Sequence, residues 1–313
     1  MSVIKIHDLA YGRISAPDLD REEEFLTDFG LIRSARTPNA LYMRGTDPPH
    51  HIHVTELGEP RYIGIAFHAA SPDDLEKIAR APGASPIEDI DEPGGGRRVR
   101  LTDPDGYQVE VIHGMERLAP IPITRPPVNT ATDKPRKGAL YRVPRGPAQI
   151  KRFGHFVVMS KNFEKTLAWY REMFGLRCSD EFYAGDKGNV VGSFNRLDRG
   201  EEYVDHHAFF CIRGDKSGLN HLSFEARDID DIMIGHEHLK AKDYTHMWGI
   251  GRHLLGSQVF DYWADPWGRV HEHWADTDVL NIHTPPNLIE RGEGANGPWG
   301  EPIPARFMGH ASP

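Results

Sequence analysis

Three residues in the second half of the chain, His155, His221 and Glu272, are of the types that hold a transition metal. Two imidazoles and one carboxylate on one face leave three positions of a six-coordinate ion open. That donor set suits non-haem Fe(II) that has to bind both a substrate and O2, and Mn(II) is possible on the same ligands. Zinc prefers a closed tetrahedral site, or three ligands and a water. A lone strand histidine is more often a core or surface residue than a ligand, and the chain has 18 His. The case for these three therefore depends on the elements that position them.

The chain repeats itself. Leu9-Ala10-Tyr11-Gly12, followed by a helical pattern ending at Phe29-Gly30-Leu31, resembles Phe153-Gly154-His155-Phe156, followed by one ending at Phe174-Gly175-Leu176. Gly64-Ile65-Ala66-Phe67 matches His221-Leu222-Ser223-Phe224. Asp103-Pro104-Asp105-Gly106 precedes Glu110 by the interval at which Asp265-Pro266-Trp267-Gly268 precedes Glu272. Each half divides again into strand, helix and several short strands. The reading is an α+β fold of four βαβββ modules in two domains. Residues 1–115 and 150–276 are the domains. Residues 116–149 form a Pro-rich basic linker (Pro120, Pro122, Pro126, Pro127, Pro135, Pro144, Pro147), since proline and charge resist core formation. Residues 277–313 form an extension, either an ordered wrap or a loose tail.

In the second domain, apolar spacing predicts a strand over 154–159 and a helix over 163–174, with Asn162 as N-cap and Gly175 as the stop. Strands follow near 177–182, 190–196 and 206–212. The next module has a strand at 219–226, a helix over 229–240, and strands near 259–264 and 270–274. His155 and His221 then lie on the first strands of modules three and four, and Glu272 on the last strand of module four. The equivalent positions in the first half are Tyr11, Gly64 and Glu110. Two of three ligands are missing there, so one metal is expected, in the C-terminal domain.

The run Gly251-Arg252-His253, Val259-Phe260-Asp261-Tyr262, Asp265-Pro266-Trp267-Gly268 and Glu272 resembles the signature of type I extradiol ring-cleavage dioxygenases of the vicinal oxygen chelate, or glyoxalase-like, superfamily. His253 to Tyr262 spans 9 residues and Tyr262 to Glu272 spans 10, as in that signature. Gly218-Leu219-Asn220-His221-Leu222-Ser223-Phe224 is similar to its second-ligand motif. The resemblance implies two glyoxalase-type domains, with His155, His221 and Glu272 as metal ligands. It implies His206, 15 residues before His221, as the acid/base, and His253 and Tyr262 as the other polar pocket residues. The doublet His206-His207 leaves a one-residue slip open, because neighbouring strand residues face opposite ways. The implied activity is cleavage of a catechol-type small aromatic diol next to its hydroxyls by O2 at Fe(II), giving a semialdehyde or keto-dienol acid.

A net charge of -9 argues against nucleic acid, which needs a basic face, and weakly against anionic membranes. No apolar run approaches the ~20 residues that span a bilayer. Two cysteines and a start without signal-peptide features predict a cytoplasmic protein, and such enzymes are commonly homo-oligomers. Trp169, Trp248, Phe182 and Phe194 are candidate pocket aromatics, with core packing as the plain alternative. His50, His51 and His53 could hold a second metal, although a loop entering a strand explains them as well. His271 and His273 should face away from the metal of Glu272, outward or in support of its ligands. Two rival functions stay open: a glyoxalase-like isomerase on the same ligands, and a small-molecule-binding relative. The retention of His206, His253 and Tyr262 disfavours the first, and an intact ligand triad the second.

Overall fold

The structure is a computed structural model that describes residues 2–123, 127–295 and 297–313. Pro126 of the linker lies outside the described residues. The first module runs β1 (Ile6–Ala16), α1 (Leu19–Phe29), β2 (Ile32–Arg36), β3 (Ala40–Arg44) and β4 (His53–Leu57). The second runs β5 (Arg61–Ala69), α2 (Pro72–Ile78), β6 (Glu88–Asp89), β7 (Arg97–Thr102) and β8 (Gln108–His113). Together they build one sheet, in the order β2-β3-β4-β1-β5-β8-β7-β6, with β1 and β5 antiparallel at its centre.

The second half repeats the scheme. Module three is β9 (Ile150–Ser160), α3 (Phe163–Phe174), β10 (Arg177–Ala184), β11 (Asp186–Arg196), β12 (Val204–Asp205) and β13 (Phe209–Arg213). Module four is β14 (Gly218–Ala226), α4 (Ile229–Ala241), β15 (Thr245–Arg252), β16 (Val259–Ala264) and β17 (Val270–Ala275). The extension adds β18 (Val279–Leu280) and β19 (Asn287–Glu290). The second sheet is ordered β15-β16-β17-β14-β9-β13-β11-β10-β19, again with its two module-opening strands paired antiparallel at the centre.

Local chemistry explains the helices. Asp18 caps α1 by accepting from the backbone N–H groups of Asp20 and Arg21, and Gly30 ends it in the left-handed conformation at φ 115°. Helix α3 spans the expected residues and stops at Gly175, φ 71°. Asn162 stands at its N-cap position but makes no capping bond. Its amide instead donates to Asp105 Oδ1 and the Pro104 carbonyl across the domain boundary.

The strand assignment needs two corrections. The one expected over 206–212 begins only at Phe209. His206 and His207 lie in a bend before it, where β12 pairs with β18 and the His206 N–H donates to the Asp278 carbonyl at 2.8 Å. β15 was not expected; its two glycines, Gly249 and Gly251, break the apolar alternation that marks a strand.

The halves are joined by reciprocal contacts. The turn before β8 sends Asp105 to the hydroxyls of Ser160, Thr166 and Ser217. The turn before β17 holds Asp265 against Arg269, whose guanidinium reaches the Ser15 carbonyl and, at 3.3 Å, Glu22 of α1. Phe29 of α1 stacks on His273 at 3.8 Å, and Phe67 of β5 packs on Phe156 and Phe174. One continuous apolar core therefore includes residues of both sheets. Residues 277–295 and 297–313 wrap back over the two sheets. β19 extends the second sheet beside β10, Ser312 bridges to Leu219, and the Tyr62 N–H donates to the Pro313 carbonyl. Among the described residues no helix is long and apolar enough to cross a membrane.

Candidate metal centre

Equal strand lengths put the three candidate ligands at repeated positions. His155 is the sixth residue of 11-residue β9, as Tyr11 is of β1. His221 and Gly64 are each the fourth residue of a 9-residue strand, and Glu272 and Glu110 each the third of a 6-residue strand. The parallel β14/β17 ladder sets Ser223 beside Glu272, and the antiparallel β14/β9 ladder sets Ser223 beside His155.

The side chains converge. His155 Nε2 lies 2.9 Å and His221 Nε2 3.3 Å from Glu272 Oε2, and the two ring nitrogens are 3.4 Å apart. All three residues are buried. Ser223 Oγ donates to Glu272 Oε2, whereas the buried Glu272 Oε1 has no hydrogen-bond partner. A buried carboxylate that faces two imidazole nitrogens through Oε2 and leaves Oε1 without a donor fits a cation, since an unpaired buried oxygen is costly. Burial pushes the Glu272 carboxyl up, but His155, then His221 and His253, outweigh this and hold it well below the usual range. Burial lowers His155 despite Glu272. A neutral imidazole beside an ionised carboxylate is the state a metal ligand needs.

Supporting contacts surround the triad. Asn220 Oδ1 lies 2.7 Å from His221 Nδ1, which places the ring proton on Nδ1 and leaves the Nε2 lone pair facing inward. The Asn220 amide is tied in turn to the His310 carbonyl of the C-terminal wrap, at 2.8 Å. His253 Nε2 and Tyr262 OH are 2.9 Å apart, and His253 Nε2 is 3.8 Å from Glu272 Oε1. Burial first, and then Glu272, push the Tyr262 phenol well up, so it stays a proton donor.

The doublet is arranged differently from the ungapped spacing. His207 is the member packed against the triad, its ring 4.1 Å from that of His155. His206 turns away to Asp180 and meets His207 through the two Nδ1 atoms, at 3.1 Å. If the Nε2–H of His206 is given to Asp180, its Nδ1 accepts from His207 Nδ1–H, and His207 Nε2 carries a lone pair. Burial holds His207 well below the ordinary histidine range.

Among the candidate aromatics, Trp248 stacks parallel to Tyr262 at 5.5 Å, and Phe194 packs on His207 at 4.9 Å with Phe182 behind it. Trp169 packs instead on Phe174, in the core. Sequence reasoning missed Phe307, which the wrap brings to 4.6 Å from Tyr262 and 5.4 Å from Trp248. No periodicity in the extension marks it. Asn220 and Asp180 were also missed; only the adjacency of Asn220 to His221 pointed to it.

The equivalent place in the first domain is filled by protein groups. The Tyr11 hydroxyl donates to Glu110 Oε2, and Arg13, Arg98 and Arg100 lie 3.3–3.5 Å from the same carboxylate. A Cβ on Gly64 would stand 1.8 Å from the Gln108 carbonyl oxygen, so that position admits no side chain. His50 and His51 pair through their Nδ1 atoms at 3.0 Å, whereas His53 turns to His271 across the domain boundary. His271 and His273 do face away from the triad. Both are buried between the domains rather than turned outward, with His273 Nε2 on the Phe29 carbonyl.

Residues 152–272 match the family model of the Glyoxalase/Bleomycin resistance protein/Dioxygenase superfamily. The matched stretch lies in the second domain and contains all three converging residues, His155, His221 and Glu272. The chain is 28% identical over 310 residues to Metapyrocatechase 2 of Cupriavidus necator, covering 97% of this chain and 92% of that protein. It is 24% identical over 281 residues to an iron-dependent extradiol dioxygenase of Rhodococcus jostii, covering 85% and 87%. The crystal structure of a Mn(II)-bound glyoxalase from Novosphingobium aromaticivorans shares the fold, with a TM-score of 0.81, 22% identity and coverage of 99% and 96%. Within this fold, the polar residues around His155, His221 and Glu272 have to decide the chemistry.

Proposed function

We propose that His155, His221 and Glu272 hold one Fe(II), with Mn(II) as the alternative ion, in an extradiol dioxygenase that opens a catechol-type ring with O2. The observation that carries this reading is the convergence of two imidazoles and one carboxylate with a polar arc of His207, His253 and Tyr262 around them. Three protein ligands leave room for both hydroxyls of a diol and for O2. The bound metal supplies Lewis acidity toward the diol and a path for electrons from ring to O2.

The chain's own residues handle protons and position. Tyr262, kept protonated by burial, donates a hydrogen bond to a substrate oxygen. His253, hydrogen-bonded to Tyr262 and more open than the triad, orients the diol. His207, oriented by His206 and Asp180, takes a proton from the substrate at Nε2 and returns it as the ring opens. His207 thus takes the acid/base role that spacing alone gives to His206, and His206 becomes its positioning residue. Trp248 and Phe307 wall the pocket with aromatic faces suited to a planar ring.

The triad by itself is also compatible with a glyoxalase-like isomerase. An isomerase consumes no O2, which separates the two readings. Replacing Glu272 with Gln removes the ionised ligand with little change in shape. Its expected effect is loss of bound iron together with loss of O2-dependent ring opening; a variant that kept both would refute the assignment.

A further inference from the structure

A second cluster of ligand-type side chains lies behind the pocket. Asp261 and Trp263 flank Tyr262 on β16 and so point to the opposite face of the sheet, where α4 packs. His236 of α4 and His246 of β15 close on Asp261 there. We propose that His236, His246 and Asp261 form a second divalent-metal site, open to solvent and separate from the triad.

The geometry is that of three ligands around a shared point. Asp261 Oδ1 is 3.2 Å from His236 Nδ1 and 2.9 Å from His246 Nε2. Metal–ligand bonds of ~2.0–2.2 Å leave ligand atoms roughly 3 Å apart. The two imidazole rings are nearly perpendicular, 84° with centroids 4.9 Å apart, so their nitrogens approach from different directions. Trp263 Nε1–H donates to the other oxygen, Oδ2, at 2.5 Å. That contact fixes the carboxylate, as an outer hydrogen bond does for a ligating carboxylate, and His236 Nδ1 stands 3.2 Å from Oδ2 as well as from Oδ1.

Access and charge fit as well. The Asp261 side chain is fully buried, whereas those of His236 and His246 are 16% and 27% exposed, so an ion can enter and keep water in its remaining positions. Two imidazoles and one carboxylate favour the zinc, copper and nickel class over magnesium or calcium. The other cluster of this composition, Glu22, His53 and His271, differs in both respects. It is sealed between the domains, and the Arg269 guanidinium at 3.3 Å from Glu22 already supplies a cation.

The alternative is a hydrogen-bonded cluster in which both rings donate N–H to Asp261. Counting metal ions per chain distinguishes the two. Iron-loaded protein is equilibrated with Zn2+, freed of unbound ion, and measured by native mass spectrometry and elemental analysis, with iron and zinc counted together. The expected result is two ions per chain for the wild type and one for His246→Gln; His236→Asn provides the same reading should the first variant fold poorly. One ion per wild-type chain, or two in a folded His246→Gln or His236→Asn protein, overturns the site.

Discussion

His207 sits where a neutral base is useful, because burial keeps its imidazole uncharged and the His206–Asp180 pair fixes its orientation. Loss of a positioned acid/base costs about 10²- to 10⁴-fold in rate. His207→Asn is expected to lower kcat by that order in steady-state assays while iron content stays at the wild-type level. His206→Asn should lose less, because it only disorients His207; an equal or larger loss would return the role to His206. Asn220→Ala removes the partner of His221 Nδ1 and should weaken iron binding roughly 10- to 100-fold, read by competition with a chelator. His155, His221 and Glu272 could be singled out in the sequence because each stands at a repeated module position, whereas His253 and Tyr262 entered only through the resemblance to the family signature. The doublet was not. Its orientation depends on a bend that β12 forms with β18, a pairing of residues some 75 apart, and no local pattern records it.

At the scale of elements, the duplicated βαβββ pattern gave most of the architecture, because apolar periodicity is local and strong in α3, β14 and β16. β15 escaped because Gly249 and Gly251 remove the alternation. The C-terminal wrap escaped because its contacts are single anchors. Trp248 Nε1–H donates to the Glu301 carbonyl at 2.9 Å, and Phe307 packs into the cluster of Trp248, Phe260 and Tyr262. An aromatic contact contributes about 0.5–1.5 kcal/mol, so Phe307→Ala should raise KM for a catechol about two- to tenfold and leave kcat less affected. An unchanged KM would place Phe307 outside the substrate's reach.

At the scale of the molecule, the two domains share one core and a buried charge cluster, so they should unfold together. Arg269 serves both Asp265 and Glu22. Arg269→Met leaves buried carboxylates unpaired and is expected to cost about 3–5 kcal/mol, seen as a lowered urea midpoint with one transition retained. Two separate transitions in the wild type would show that the shared core does not couple the halves. The first domain also carries His51 and His53, both held well below the ordinary histidine pKa, chiefly by burial. The unfolded chain binds their protons at about 6.5, so it takes up more protons than the folded chain as pH falls. Their contribution to stability is complete above that value and declines below it, by about 1.4 kcal/mol per histidine between pH 7.5 and 5.5. His53→Leu should shrink the difference in unfolding free energy between those two pH values, measured by urea titration.

The proposed activity is the opening of a catechol ring with O2 at one iron held by His155, His221 and Glu272. Protein reconstituted anaerobically with Fe(II), given one of several catechols and then O2, tests it most directly. The expected result is one iron per chain at the triad and, on adding O2, a yellow ring-fission product with O2 consumed one-to-one. Iron bound at the triad with no O2 uptake and no yellow product from any of the catechols would contradict it.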